Sequence, residues 1–186
     1  MIVDCWHNRI LSSIDISLPI SQWNIVKDQI SSPHSIAYDK DAKILITEDT
    51  GRNSILVFAL TVLDYHAQSE NHMDTTNIEF IQNISFPRSI CSGPHRSIYS
   101  IEFQSFFVLC SASKYLTILE LKVNDNNNIT PIVPTNNISS SSYSSTKTSR
   151  YHIYIYKLHV LSSISDLYTR SFTIHNSLFY FVTDGM

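Results

Sequence analysis

Apolar residues along this chain fall in short runs rather than at helical spacing. The runs are Ser35-Ile36-Ala37-Tyr38, Ile44-Leu45-Ile46, Ile55-Leu56-Val57-Phe58, Phe106-Phe107-Val108-Leu109, Leu116-Thr117-Ile118-Leu119, Ile153-Tyr154-Ile155-Tyr156 and Phe179-Tyr180-Phe181-Val182. Runs of this length, rich in β-branched and aromatic side chains, predict β-strands, because such side chains pack well on a pleated, half-buried surface. Turn formers separate them: Asp39-Lys40-Asp41, Thr50-Gly51-Arg52-Asn53 and His175-Asn176-Ser177. No long amphipathic helix competes. With only three glycines in the chain, Asn, Asp and Ser must take most of the tight turns.

One stretch breaks this pattern. Residues 124–150, from Asn124 to Arg150, are polar and low in complexity, with too little apolar surface to offset the entropy of ordering. Strand patterning resumes at Tyr151, so the stretch is expected to hang from one β unit as an insertion rather than to divide two domains.

The strands recur in register. Asp4-Cys5-Trp6-His7-Asn8-Arg9-Ile10-Leu11 lies without a gap over Asp49-Thr50-Gly51-Arg52-Asn53-Ser54-Ile55-Leu56, matching Asp, Asn, Ile and Leu. That offset, 45, is the size of one four-stranded unit. Pro33-His34-Ser35-Ile36 likewise lies over Pro94-His95-Arg96-Ser97 at an offset of 61, which also carries Ile46 to Phe107, Asp49 to Cys110 and Ile55 to Leu116. A third copy starts near Thr169-Arg170-Ser171, with Ser171 in the place of Ser35, and Leu178 to Asp184 fill the place of Leu45 to Asp49. Each full unit reads as a Pro-His lead-in followed by strands at His34 to Asp39, Lys43 to Glu48, Ser54 to Leu60 and around Phe80 to Ile84. Four antiparallel strands per repeat predict an all-β chain of propeller blades.

The segment PHSIAYDKDAKILITEDTGRNSILVF resembles the NHL repeat, and MIVDCWHNRIL looks like the tail of a preceding copy. The resemblance implies a partial, NHL-like β-propeller: a blade remnant at 1–28, a blade at 33–84, a blade at 94–157 carrying the insertion 124–150, and a partial blade at 169–186. Closed propellers have roughly four to eight blades. Two whole and two partial ones therefore imply either a fragment of a longer propeller, the favoured reading, with open blade edges prone to self-association, or a propeller whose missing blades come from a partner chain.

In the turns, Asp4, Asn8, Asp49 and Asn53 are expected to organise the backbone, since Asp and Asn side chains accept N–H bonds across tight turns. Cys110-Ser111-Ala112-Ser113 replaces that turn in the next copy and leaves its hydrogen bonding open. Adjacent Glu48 and Asp49 point to opposite faces of an extended strand, so they do not form a paired-carboxylate site.

Equivalent positions of a propeller ring its central channel. His34 and His95 occupy such positions in successive blades, Arg170 aligns with them, Arg96 follows His95 directly, and His7 of the preceding copy is expected near the same ring. Two imidazoles and a guanidinium suit an anionic ligand or a metal ion. A Pro-His step also reads as a turn whose imidazole bonds a neighbouring carbonyl, and this structural reading is preferred. Trp6 and Trp23 are expected to pack in the core or between blades, since aromatics dominate burial.

The charge balance, 13 Lys plus Arg against 16 Asp plus Glu, gives a net charge of -3 and disfavours nucleic acid or anionic membrane as partner. Lys40 with Lys43, and Arg150 with Lys157, are too sparse for a nucleic-acid surface. No segment has the roughly 20 apolar residues of a membrane-spanning helix. The first nine residues hold Asp4, His7 and Arg9 where an export signal would be apolar, which favours the cytoplasm. Cys5, Cys91 and Cys110 are odd in number and widely spaced, and are expected to be reduced, buried thiols. Asn83-Ile84-Ser85, Asn128-Ile129-Thr130 and Asn137-Ile138-Ser139 match the N-glycosylation pattern, which Asn- and Ser-rich sequence also generates by chance.

These features favour a non-catalytic propeller scaffold that binds a protein or small ligand. The alternative is a metal-dependent enzyme: NHL-like propellers are similar to amidating lyases and sugar-lactone hydrolases, which would imply zinc or calcium in the channel near His34 and His95. No cofactor is expected otherwise. No hydrolase, nucleotide-binding or metalloprotease motif is present.

Overall fold

The computed structural model describes residues 1–13, 15–62, 76–113, 116–125, 151–161 and 168–184. They form an all-β architecture of thirteen strands in four antiparallel sheets, of three, four, four and two strands in chain order. The first sheet holds β1 (Ile2–Asp4), β2 (Arg9–Ser12) and β3 (Asn24–Lys27). The second is the meander β4 (Ile36–Asp39), β5 (Ile44–Asp49), β6 (Ser54–Val62) and β7 (Thr76–Ser85). The third repeats it with β8 (Pro94–Ser100), β9 (Ser105–Cys110), β10 (Leu116–Asp125) and β11 (Tyr151–Leu161). The fourth pairs β12 (Tyr168–His175) with β13 (Leu178–Asp184). No closed ring of sheets is detected among the described residues.

Strand alternation explains how the sheets stack. In β5, Ile44 and Ile46 join Ile55 and Val57 of β6 in a cluster with Phe106, Val108, Leu119 and Leu121 of the third sheet. The intervening Leu45, Leu56 and Phe58 turn the other way, onto Ile10 and Ile30 beside the first sheet. Successive side chains of a strand point to opposite faces, so one strand supplies two interfaces. Strand β9 does the same: Phe107 and Leu109 meet Phe172, Phe179 and Phe181 of the fourth sheet. Strands β5 and β9 are consequently buried along their whole length. The offset of 61 thus keeps facing as well as strand order, since Ile46 and Phe107 each point to the following sheet.

The segment 124–150 read as an insertion lies outside the described residues except for Asn124 and Asp125, the last residues of β10. Asp125 pairs directly with Tyr151, so the strands flanking that segment belong to one sheet. No helix among the described residues is long and apolar enough to cross a membrane.

Two expectations are corrected. Cys91 and Cys110 are joined by a disulfide, with Cα atoms 5.2 Å apart, and only Cys5 is a free thiol. Their separation of 19 residues gives no hint of pairing; the fold brings the segment before β8 back onto the end of β9. Trp6 is 94% exposed rather than packed in a core, because it sits on a short 3₁₀ turn, Cys5–His7, that protrudes between β1 and β2. Trp23 is half-buried, and its indole N–H donates to the Leu18 carbonyl at 3.0 Å.

Candidate functional site

The candidate site gathers where the lead-ins to successive sheets meet, and the turns between strands hold those lead-ins in place. Asn8 and Asn53 both adopt left-handed backbone, with φ 56° and 57°, at the ends of the 3₁₀ turns Cys5–His7 and Thr50–Arg52. Asn tolerates this conformation better than most residues. Held there, the Asn8 carbonyl side chain accepts from Ser32 N–H at 3.1 Å, and that of Asn53 from Gly93 N–H at 2.8 Å. Ser32 and Gly93 immediately precede Pro33 and Pro94. Asn53 also donates to the carbonyls of Phe86 and Cys91, at 2.6 and 2.8 Å.

Asp49, buried, accepts from Ser31 N–H at 2.7 Å and from the Arg52 guanidinium at 2.9 Å. In the next copy Ser113 accepts from Ser92 N–H at 2.9 Å, which supplies the hydrogen bonding that the sequence left open. Cys110 stands where Asp49 stood and Cys91 where Ile30 stood, so the disulfide adds a covalent link at the same place. Asp4 instead caps its own turn, bonding the His7 ring at 2.8 Å and Arg9 at 2.9 Å. The His7 bond, foremost, holds its carboxyl below the usual range.

Strands β4 and β8 run side by side and are tied at their start. At their start the buried Glu48 carboxylate accepts from Ser35 N–H at 2.7 Å and Ser35 O–H at 2.5 Å, and Ser35 Oγ accepts from Ser97 N–H at 2.7 Å. Thr50 O–H donates to the Pro94 carbonyl at 2.5 Å. At their far end burial, then the neighbouring Asp39 carboxylate, pushes the pKa of the Tyr99 hydroxyl up to about 12. Glu48 is the positioning residue that sequence reasoning passed over. The available signal was a carboxylate placed directly after the run Ile44 to Thr47 in the same strand, where burial demands hydrogen-bond partners.

This framework stacks the rings of His34 and His95 face to face, with centroids 4.0 Å apart and planes 25° from parallel. Burial, the larger cause, together with the Arg170 charge, lowers the His34 pKa, and Glu48 opposes the shift. His95 is lowered by burial first, then by His34 and by the charges of Arg170 and Arg96, while a hydrogen bond to the Arg170 backbone opposes them. Its buried Nδ1 has no hydrogen-bond partner. The free thiol of Cys5 reaches His34 Nδ1 at 4.0 Å, and exposed Trp6 follows it in the chain. The structure therefore brings His34, His95 and Arg170 together, with Arg96 exposed beside His95. His7 is engaged by Asp4.

Face-to-face stacking presents ring faces, not ring nitrogens, to one another, which does not converge two imidazoles on one metal ion. Among the described residues no three His, Cys, Asp or Glu side chains are arranged to hold one. Comparison with protein-family models, curated proteins and solved structures finds no match to this chain.

Proposed function

We propose that the stacked sheets are an arc of an NHL-like β-propeller and that the protein is a non-catalytic binding scaffold. Its ligand is an anionic group, on a protein or a small molecule, received where β4, β8 and β12 begin. The observation that carries this reading is the stacked pair His34 and His95 under the charges of Arg170 and Arg96. The Arg170 charge disfavours a proton on either ring and the Arg96 charge one on His95, and a bound anion would relieve that repulsion. Neutral imidazoles also retain an N–H donor for such a group. Exposed Trp6 at the rim adds an aromatic surface of the kind enriched at binding interfaces.

Histidine-ring NMR during titration with inorganic phosphate, and separately with citrate, tests the proposal. Saturable shifts of the His34 and His95 signals, weakened at least several-fold by Arg170→Gln, are expected. Signals that do not move, or that move equally in the variant, would remove the anion site. A second consequence is that the open faces of the first and fourth sheets lead copies of the chain to associate.

A further inference from the structure

Strand β7 is the outer strand of the second sheet, and it carries Asn83-Ile84-Ser85. Asn83 is exposed. In a regular strand Phe80 and Asn83, three residues apart, would point to opposite faces. Here they do not. The register shifts between Val57 and Phe58, so that Leu56 pairs with Asn83 and Phe58 with Phe80, leaving Ile81 as the extra residue. Leu56 and Phe58 share a face, and the bulge brings Asn83 and Phe80 onto that face together. Both line one open cleft with Lys27 and Arg52. The Phe80 ring meets Phe58 edge to face at 5.7 Å and remains 50% exposed. A large aromatic left half in water next to an acceptor-type asparagine suits a sugar, whose C–H face covers an aromatic ring while its hydroxyls stay solvated.

A separate feature points to the compartment in which such a sugar is added. Cys91 and Cys110 are both buried and bridged, and structural disulfides form where the surroundings are oxidising.

We propose that Asn83 accepts an N-linked glycan, whose first N-acetylglucosamine lies on the exposed face of Phe80, in a chain that matures in an oxidising secretory compartment. The donor class is a lipid-linked oligosaccharide diphosphate. The Asn83 amide nitrogen forms a bond to the anomeric carbon and loses one proton to the transferring enzyme, while the bond from that carbon to the diphosphate oxygen breaks and the lipid diphosphate leaves with the electron pair. In the same compartment the Cys91 and Cys110 thiols lose two protons and two electrons to a disulfide-bearing oxidase. The glycan would also cover the open edge of β7, a protection that exposed edge strands need.

The test expresses the full chain in eukaryotic cells behind a cleavable secretory leader, with Asn128→Gln and Asn137→Gln to isolate this triplet. Peptide-N-glycosidase should lower its mass by one glycan, and Asn83→Gln or Ser85→Ala should each abolish that change. Peptide mapping without reductant should recover Cys91 linked to Cys110. Removing the glycan from the folded protein should lower the melting temperature, and by less in Phe80→Leu, which keeps an apolar contact to Phe58 but has no ring face. An unglycosylated Asn83 in chains that carry the disulfide would overturn the acceptor assignment. Reduced, alkylatable Cys91 and Cys110 in the secreted chain would overturn the oxidative maturation. A glycan effect of equal size with and without the Phe80→Leu substitution would overturn the stacking.

Discussion

Lowering the pH from 7 to 5 should destabilise the protein through His34 and His95. Both folded-state pKa values lie below the ordinary histidine value of 6.5, chiefly because burial disfavours the charged ring. The unfolded chain therefore binds protons that the folded chain resists. The stability contribution is full above the unfolded value and is lost as the pH falls from there toward the folded ones. Melting curves across this range should show a decline that is smaller in His34→Gln/His95→Gln; an unchanged slope in the double variant would contradict it. The pairing of these two residues could be read from the sequence because Pro33-His34 and Pro94-His95 recur at a fixed offset. That their rings stack could not, because stacking depends on how closely β4 approaches β8, and this is set by Glu48, Ser35 and Ser97 from three separate segments.

Among the elements, the end of β9 differs most from its counterpart. The end of β5 is held to its lead-in by Asp49 accepting from Ser31, across 18 residues; the end of β9 is held by Cys110 bonded to Cys91, across 19. Closing a loop of that length removes unfolded-chain entropy equivalent to about 3 kcal/mol. The variant Cys91→Ala/Cys110→Ala should lose roughly that much in denaturant unfolding, and the intact protein should lose a similar amount when reductant is added. A variant as stable as the parent would show that the bridge constrains nothing. Strand positions were legible from sequence because short apolar runs and their flanking turn formers are local signals. The disulfide was not, since Cys110 in an apolar strand satisfies the same burial pattern as Ile or Val, and nothing around Cys91 in the segment before β8 points to it.

Among the described residues the four sheets stack, and the first and last of them each leave apolar side chains exposed. On β13, Phe179 and Phe181 pack inward on the third sheet, whereas Leu178, Tyr180 and Val182 of the same strand are exposed. Ile25 on β3 is exposed at the other end. Analytical ultracentrifugation should find association that strengthens with concentration and weakens in Tyr180→Lys/Val182→Lys, because charge on an edge strand opposes pairing. A monomer at all concentrations, or association untouched by the variant, would exclude these faces. The alternation along each strand was legible from sequence. What meets the last face was not, because a side chain's spacing shows that it needs a partner without specifying one.

The asparagine clamps have a direction. Asn8 and Asn53 lie in turns of one sheet and seize the peptide that leads into the next, at Ser32 and Gly93. A chain growing from a ribosome emerges with its N-terminal segments first. The second and third sheets would then each find an anchor already built by the sheet before, without waiting for residues still unsynthesised. Assembly can keep pace with synthesis, one sheet at a time, and the face that each sheet turns toward its successor waits only for that next sheet to emerge.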